Sequence, residues 1–171
     1  MSQRVDPPDH APEKEMLVAF LDYYRETLVL KATGLTDQQA RTASAPPSDL
    51  NLMGLVRHMA AVEHHWFNRW WTASGEKWVF HSPTDPDLDM HPTDADTVAD
   101  AVALFRTKVA EADAVIASAA LEDRAQKSET RDGKTFQPSM RWILIHLIEE
   151  YARHCGHADL IRQAIDGAVG D

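Results

Sequence analysis

Three histidines, two glutamates and the chain's only cysteine fall within one short stretch, HLIEEYARHCGHADL, running from His146 to Leu160. At about 100° per residue of helix, Glu150, His154 and His157 lie roughly 40°, 80° and 20° from His146, on one face. Glu150 and His154 stand one turn apart, the separation from which two side chains converge on one metal ion. An earlier stretch, LNLMGLVRHMAAVEHHWF, carries His58 on the stripe of Leu55, Val62 and Trp66, so it too should turn inward. His58, Glu150 and His154 are therefore a candidate triad across two helices. Two imidazoles and a carboxylate leave a zinc-like ion with an open position and residual positive charge, the arrangement of a catalytic site and not of a closed structural one. A plainer reading stands beside it. An inward histidine is commonly a hydrogen-bonded core residue, and Glu150 could be paired with Arg57, Arg69 or Arg153.

Other residues carry weaker signals. His65 follows His58 by two turns on nearly the same face and could line a cavity mouth, whereas His64 falls on the far side. Trp66, Trp70, Trp71 and Trp78 read first as core or interface and second as an apolar wall for a substrate. Cys155 lies on the opposite side of the helix from His154 and reads as structural.

Four helices must position these groups. The first spans residues 11–33, with Met16, Phe20, Tyr23, Tyr24, Leu28 and Leu30 at helical spacings and Gly34 as the stop. A polar piece and Pro46-Pro47 break the chain, and Ser48 or Asp49 is available to cap a second helix over 49–72, whose stripe is Leu52, Leu55, Met59, Val62, Trp66 and Trp70. Residues 73–94, with Gly75, Pro83, Pro86 and Pro92, read as a loop. At more than about 15 residues it suggests a lid or a substrate-facing segment. A third helix runs from 93 or 94 to about 121 on the stripe Val98, Val102, Phe105, Val109, Ala112 and Ile116, and Asp132-Gly133 marks a small hairpin. The fourth runs from about 138 to 166 before Gly167. Its inward stripe should hold Trp142, Ile143, Leu147, Ile161 and Ala164. Leu144, Ile145 and Ile148 lie off that stripe, which suggests a fully wrapped helix or a dimer interface. The expected fold is all-α: one four-helix bundle over 1–171, with 1–10 a flexible lead-in and long loops after the second and third helices.

Composition bounds the function. With 17 basic against 27 acidic residues the net charge is −10, which repels phosphate backbones and argues against nucleic-acid or anionic-membrane partners. No apolar run approaches the roughly 20 residues of a membrane span, and a single cysteine fits a reducing compartment. A cytoplasmic protein acting on small molecules, with a homodimer open, is the expectation.

The stretch containing His58, taken with SMRWILIHLIEEYARHCGHADLIRQ, resembles the DinB-like superfamily of metal-binding four-helix bundles. Within it the likeness is closest to an actinobacterial branch related to mycothiol-dependent enzymes. The resemblance implies a divalent metal held by one histidine of the second helix, here His58, and a pair on the last. Glu150 stands where that pair usually begins with histidine, and His154 completes it. Glutamate at the first position also occurs in mycothiol-dependent isomerase relatives, so the departure favours a thiol-using enzyme. His157 stands where many relatives have glutamine; with His146 and His65 it is expected around the ligands. The expected function is a metal-dependent, mycothiol-using S-transferase or isomerase acting on small electrophiles. Zinc is the first choice of ion, nickel and iron suit the same donors, and Arg57, Arg69 or Arg153 are available to hold a substrate carboxylate. Two other readings use the same residues: a non-haem iron site, and a non-catalytic metal-binding or dimeric scaffold of the stress response.

Overall fold

The computed structural model describes residues 4–170, so the first three residues of the lead-in and Asp171 lie outside it. Helices α1 (Glu13–Ala32), α3 (Leu52–Glu63), α4 (Val98–Ser118) and α5 (Met140–Asp166) form the bundle expected from the periodicity. α1 packs along α5, α3 packs along α4, and the two pairs meet through α1–α3 and α3–α5 contacts. A short helix, α2 (Asp37–Ala40), sits within the stretch expected to be irregular. It forms because the Thr36 hydroxyl accepts from Gln39 N while the Gln39 side chain accepts from Thr36 N, a reciprocal cap that satisfies two terminal donors.

Caps fix the boundaries more tightly than periodicity does. α3 starts at Asn51, not at Ser48 or Asp49, because the Asn51 carboxamide accepts from Gly54 N at 2.8 Å. α4 starts later than 93 or 94, after Thr97, whose hydroxyl accepts from Asp100 N. Ser139 caps α5, and Gly167, at φ 76°, ends it in the left-handed region that glycine adopts without cost. Strands β1 (Glu129–Arg131) and β2 (Lys134–Phe136) pair antiparallel around Asp132 and Gly133, both at positive φ, as a two-residue hairpin turn requires.

The helix expected over 49–72 changes winding part-way. After Glu63 the chain becomes a π-helical segment, His64–Trp71, in which hydrogen bonds close over five residues; Thr72 N donates to Phe67 O at 3.2 Å. The wider turn shifts every later side chain round the axis. His64, expected on the far side, is buried instead, with Nε2 3.0 Å from Lys77 O of the loop that follows.

Faces also differ from the expected ones. On α1 the buried stripe is Leu21, Arg25, Leu28 and Ala32, while Phe20 and Leu30 are exposed. An arginine reads as a solvent-facing residue in sequence, but Arg25 is enclosed because Glu63 waits for it: Nε and Nη2 each donate to that carboxylate at 2.8 Å, and Tyr151 Oη donates to it at 2.7 Å. Burial works against the Arg25 charge, yet Glu63 outweighs it and raises the guanidinium pKa; burial and Glu63 together raise that of Tyr151. On α5, Ile143, Leu147 and Ile161 are buried as expected, but Trp142 and Ala164 are exposed and Leu144 is fully buried. Ile145 remains 52% exposed, so the first half of α5 is not wrapped all round. The turned-over face is the one that meets α1 and α3 and brings Tyr151 to Glu63.

Candidate metal centre

His58 lies near the middle of α3, and Glu150 and His154 lie one turn apart on α5. One ring nitrogen from each histidine and one carboxylate oxygen of Glu150 lie within 4.8 Å of one another. The rings of His58 and His154 meet edge to face with centroids 4.9 Å apart. The structure thus brings together the three residues that the sequence pairs across two helices.

The chemistry of the donors suits a cation. His58 Nδ1 is 2.7 Å from Asp89 Oδ2, so Nδ1–H donates to that carboxylate and the lone pair is left on Nε2. Burial opposes the charge on Asp89, but His58 and two backbone N–H groups outweigh it and hold the carboxyl below its usual range. His154 is buried; desolvation, assisted by His58, His157 and Arg153, lowers its pKa to about 4, so its ring is neutral near pH 7. Glu150 is half-buried and makes no hydrogen bond of ordinary length. Its nearest polar neighbours are His154 Nε2 at 3.5 Å, His146 Nε2 at 3.7 Å and Arg153 Nη1 at 3.7 Å. A shielded carboxylate without a close hydrogen bond, beside two imidazoles, is a donor set that a divalent ion satisfies.

The residues expected around the triad take distinct places. His157 Nδ1 lies 3.4 Å from His154 Nδ1 and so steadies that ring from the side away from Glu150. His146 stacks on Trp142, with centroids 4.9 Å apart, and groups with Glu149 and Glu150. His65 is further off, on the π-helical segment, stacked at 5.0 Å on Trp78 and edge-on to Trp66. Burial lowers the pKa of His65 to about 4. Cys155 Sγ donates to Tyr24 O at 3.6 Å, and burial pushes the thiol up to about 12, which leaves no thiolate for nucleophilic work.

Asp89 escaped sequence reasoning. It belongs to the long loop, and what brings it to His58 is a strap across α3. Arg57 donates from Nε to Asp89 O at 3.0 Å, from Nη2 to Leu88 O at 2.8 Å and from Nη1 to Asp96. Asn51 Nδ2 donates to Met90 O at 3.1 Å. The backbone passes so close that a Cβ at Gly54 would lie 2.7 Å from Met90 O. The only signal in the sequence was the loop's unusual length. Its composition gave no register.

The same loop walls a cavity of about 520 Å³ beside the triad, lined by His58, His65, Trp66, Trp78, Phe80 and Asp89, with Ala61, Val62, His81, Ser82, Asp85 and Pro86 completing it. The loop expected to face a substrate walls a cavity that reaches His58. The arginines expected to serve a substrate do not reach it. Arg57 is spent on the strap, Arg69 donates to Glu76 O and lies over Trp78 at 4.3 Å, and Arg153 is paired with Glu149.

The family model for mycothiol S-transferase matches residues 16–167, nearly all of this bundle. The chain belongs to the mycothiol S-transferase family. Membership of this DinB-like family agrees with the resemblance carried by the His58 and Glu150–His154 stretches. A crystal structure of a conserved protein from Enterococcus faecalis is similar with a TM-score of 0.63 over 93% of this chain and 100% of that one, at 15% sequence identity. At that identity the likeness shows the fold. No curated protein matches the sequence. No helix among the described residues is long and apolar enough to cross a membrane.

Proposed function

We propose that this protein is a divalent-metal-dependent S-transferase in which His58, Glu150 and His154 hold the ion and mycothiol is the thiol co-substrate. The observation that carries the reading is Glu150, shielded and without a hydrogen bond, facing histidines from two helices, one of which, His58, lines an aromatic cavity. Family membership supports the thiol. Zinc is the first choice of ion, with nickel and iron suited to the same donors. A cation in this site would supply the positive charge that lets an incoming thiol lose its proton at neutral pH.

The chain's own residues do the rest. Asp89 fixes the His58 tautomer and aims Nε2 toward the triad. His157 holds the His154 ring. Trp66, Trp78 and Phe80 exclude water and place an electrophile next to His58. The attacking sulfur comes from the co-substrate, since Cys155 is buried and protonated. The new bond is sulfur to carbon, the leaving group departs with its electron pair, and the thiol proton goes to solvent. Such chemistry needs a reduced thiol pool, and we place this protein in the cytoplasm.

Mycothiol, bacillithiol and glutathione are to be compared side by side on a broad electrophile panel, with the metal-loaded protein and with His58→Ala. The expected result is mycothiol-dependent consumption above the uncatalysed rate, lost together with metal in the variant. No thiol-dependent consumption, alongside undiminished metal binding by His58→Ala, sinks the reading.

A further inference from the structure

The cavity beside His58 has a composition that selects its guest. At about 520 Å³ it falls within the usual range for small-molecule sites, roughly 300–1,000 Å³. Trp66, Trp78 and Phe80 present aromatic rings to it, and none of its lining residues is lysine or arginine. Its two carboxylates, Asp85 and Asp89, are paired with His91 at 2.9 Å and His58 at 2.7 Å. Two guanidinium groups lie over cavity rings without lining the cavity: Arg57 holds the strap and lies over the Phe80 ring at 4.3 Å, and Arg69 lies over Trp78 at 4.3 Å while donating to Glu76 O. His65, held neutral by burial, adds a ring and no charge. A ligand carboxylate here would share the space with Asp85 and Asp89 and meet no ammonium or guanidinium. An ion held by His58, Glu150 and His154 would supply positive charge beside the cavity, and in the proposed reaction that charge would serve the thiol. Shedding the hydration of a carboxylate without a partner is strongly unfavourable, whereas an uncharged flat ring gains stacking and apolar burial.

We propose that this cavity binds uncharged planar aromatic compounds and rejects carboxylates, so that the electrophile of the proposed transfer is a neutral aromatic one. The proposal rests on the transferase reading for the reaction, but the binding preference stands on the cavity alone. In turnover, the thiol sulfur would bond to the electrophilic carbon of such a compound, a halide or comparable group would leave with the bonding pair, and the thiol proton would pass to solvent.

Binding and turnover separate the two claims. Calorimetric titration of the full chain with acetylnaphthalene and with its carboxylated analogue, acetylnaphthoate, at about pH 8, where ordinary histidines are neutral, should show the uncharged compound binding at least about tenfold tighter. Trp78→Ala should weaken that binding about fivefold or more, consistent with loss of an aromatic contact. Equal affinity, or tighter binding of the carboxylate, overturns the proposal and leaves the transferase reading untouched. Turnover is then measured with bromoacetylnaphthalene and its carboxylated analogue, each relative to its uncatalysed reaction with mycothiol. Preference for the uncharged bromide by about tenfold or more supports the full proposal. Selective binding with no turnover of either compound confirms the cavity's preference and overturns its assignment to the electrophile, while the transferase reading is decided by the broad electrophile panel.

Discussion

Asp89 is the residue on which the proposed site turns without being a ligand in it. Its carboxylate accepts from His58 Nδ1 and leaves Nε2 as that histidine's only lone pair. Such partners of ligating histidines typically change metal affinity about 10–100-fold when removed. Asp89→Ala should therefore retain the bundle and weaken zinc binding by that factor in a competition titration, and unchanged affinity would show that His58 needs no such support. His65 carries a prediction of another kind. Burial lowers its pKa from the ordinary 6.5 to about 4, so between those values the unfolded chain binds a proton that the folded one does not. Its contribution to stability is present above pH 6.5 and is lost as pH falls toward about 4. Denaturation midpoints of the metal-free protein should fall through that window, and less steeply in His65→Gln. At this scale the sequence was informative about His58, Glu150 and His154, because inward ionisable residues break an apolar pattern. It was silent on Asp89 and Phe80, since no periodicity runs through a proline-rich loop.

Among the elements, the strap and the π-helical segment both contribute walls to the cavity, through Asp89 and through His65 and Trp66. The strap depends on the absence of a side chain at Gly54, where a Cβ would lie 2.7 Å from Met90 O. Gly54→Ala must push the loop off α3, separating Asp89 from His58 at a cost of about 1–3 kcal/mol, the usual penalty for overpacking. Faster amide exchange over residues 85–92, together with weakened metal binding, is the expected signature; protection equal to that of the parent would show that the loop is not anchored there. The bundle helices themselves were readable from apolar spacing, and so was the hairpin from Asp132-Gly133. The change of winding after Glu63 was not. Helical spacing assumes a constant turn, and hydrogen bonds that close over five residues are not specified by residue types alone.

For the molecule as a whole, the enclosed set of Arg25, Glu63 and Tyr151 ties α1, α3 and α5 together through bonds of 2.7–2.8 Å. It sits one residue from Glu150 along α5, so the same contacts that hold the bundle also set the rotation at which α5 presents Glu150 and His154 to α3. Glu63→Gln removes the buried carboxylate from Arg25 Nε and Nη2, leaving the guanidinium only the half-exposed Asp22 and Asp113 at Nη1, and should cost about 1–3 kcal/mol in chemical denaturation. A loss below about 1 kcal/mol would place the pair among exposed bridges of little consequence. The sequence missed this network because arginine and glutamate at helical spacing read as a solvated face. The central claim is that one divalent ion, held by His58, Glu150 and His154, makes thiol transfer run. Titrating the metal-stripped protein with zinc while following mycothiol-dependent consumption of a neutral aromatic electrophile tests it most directly. The account predicts a rate that climbs with added metal and breaks at one ion per chain, with no such rise in folded His154→Ala. A rate indifferent to metal, or one restored equally in that variant, would contradict it.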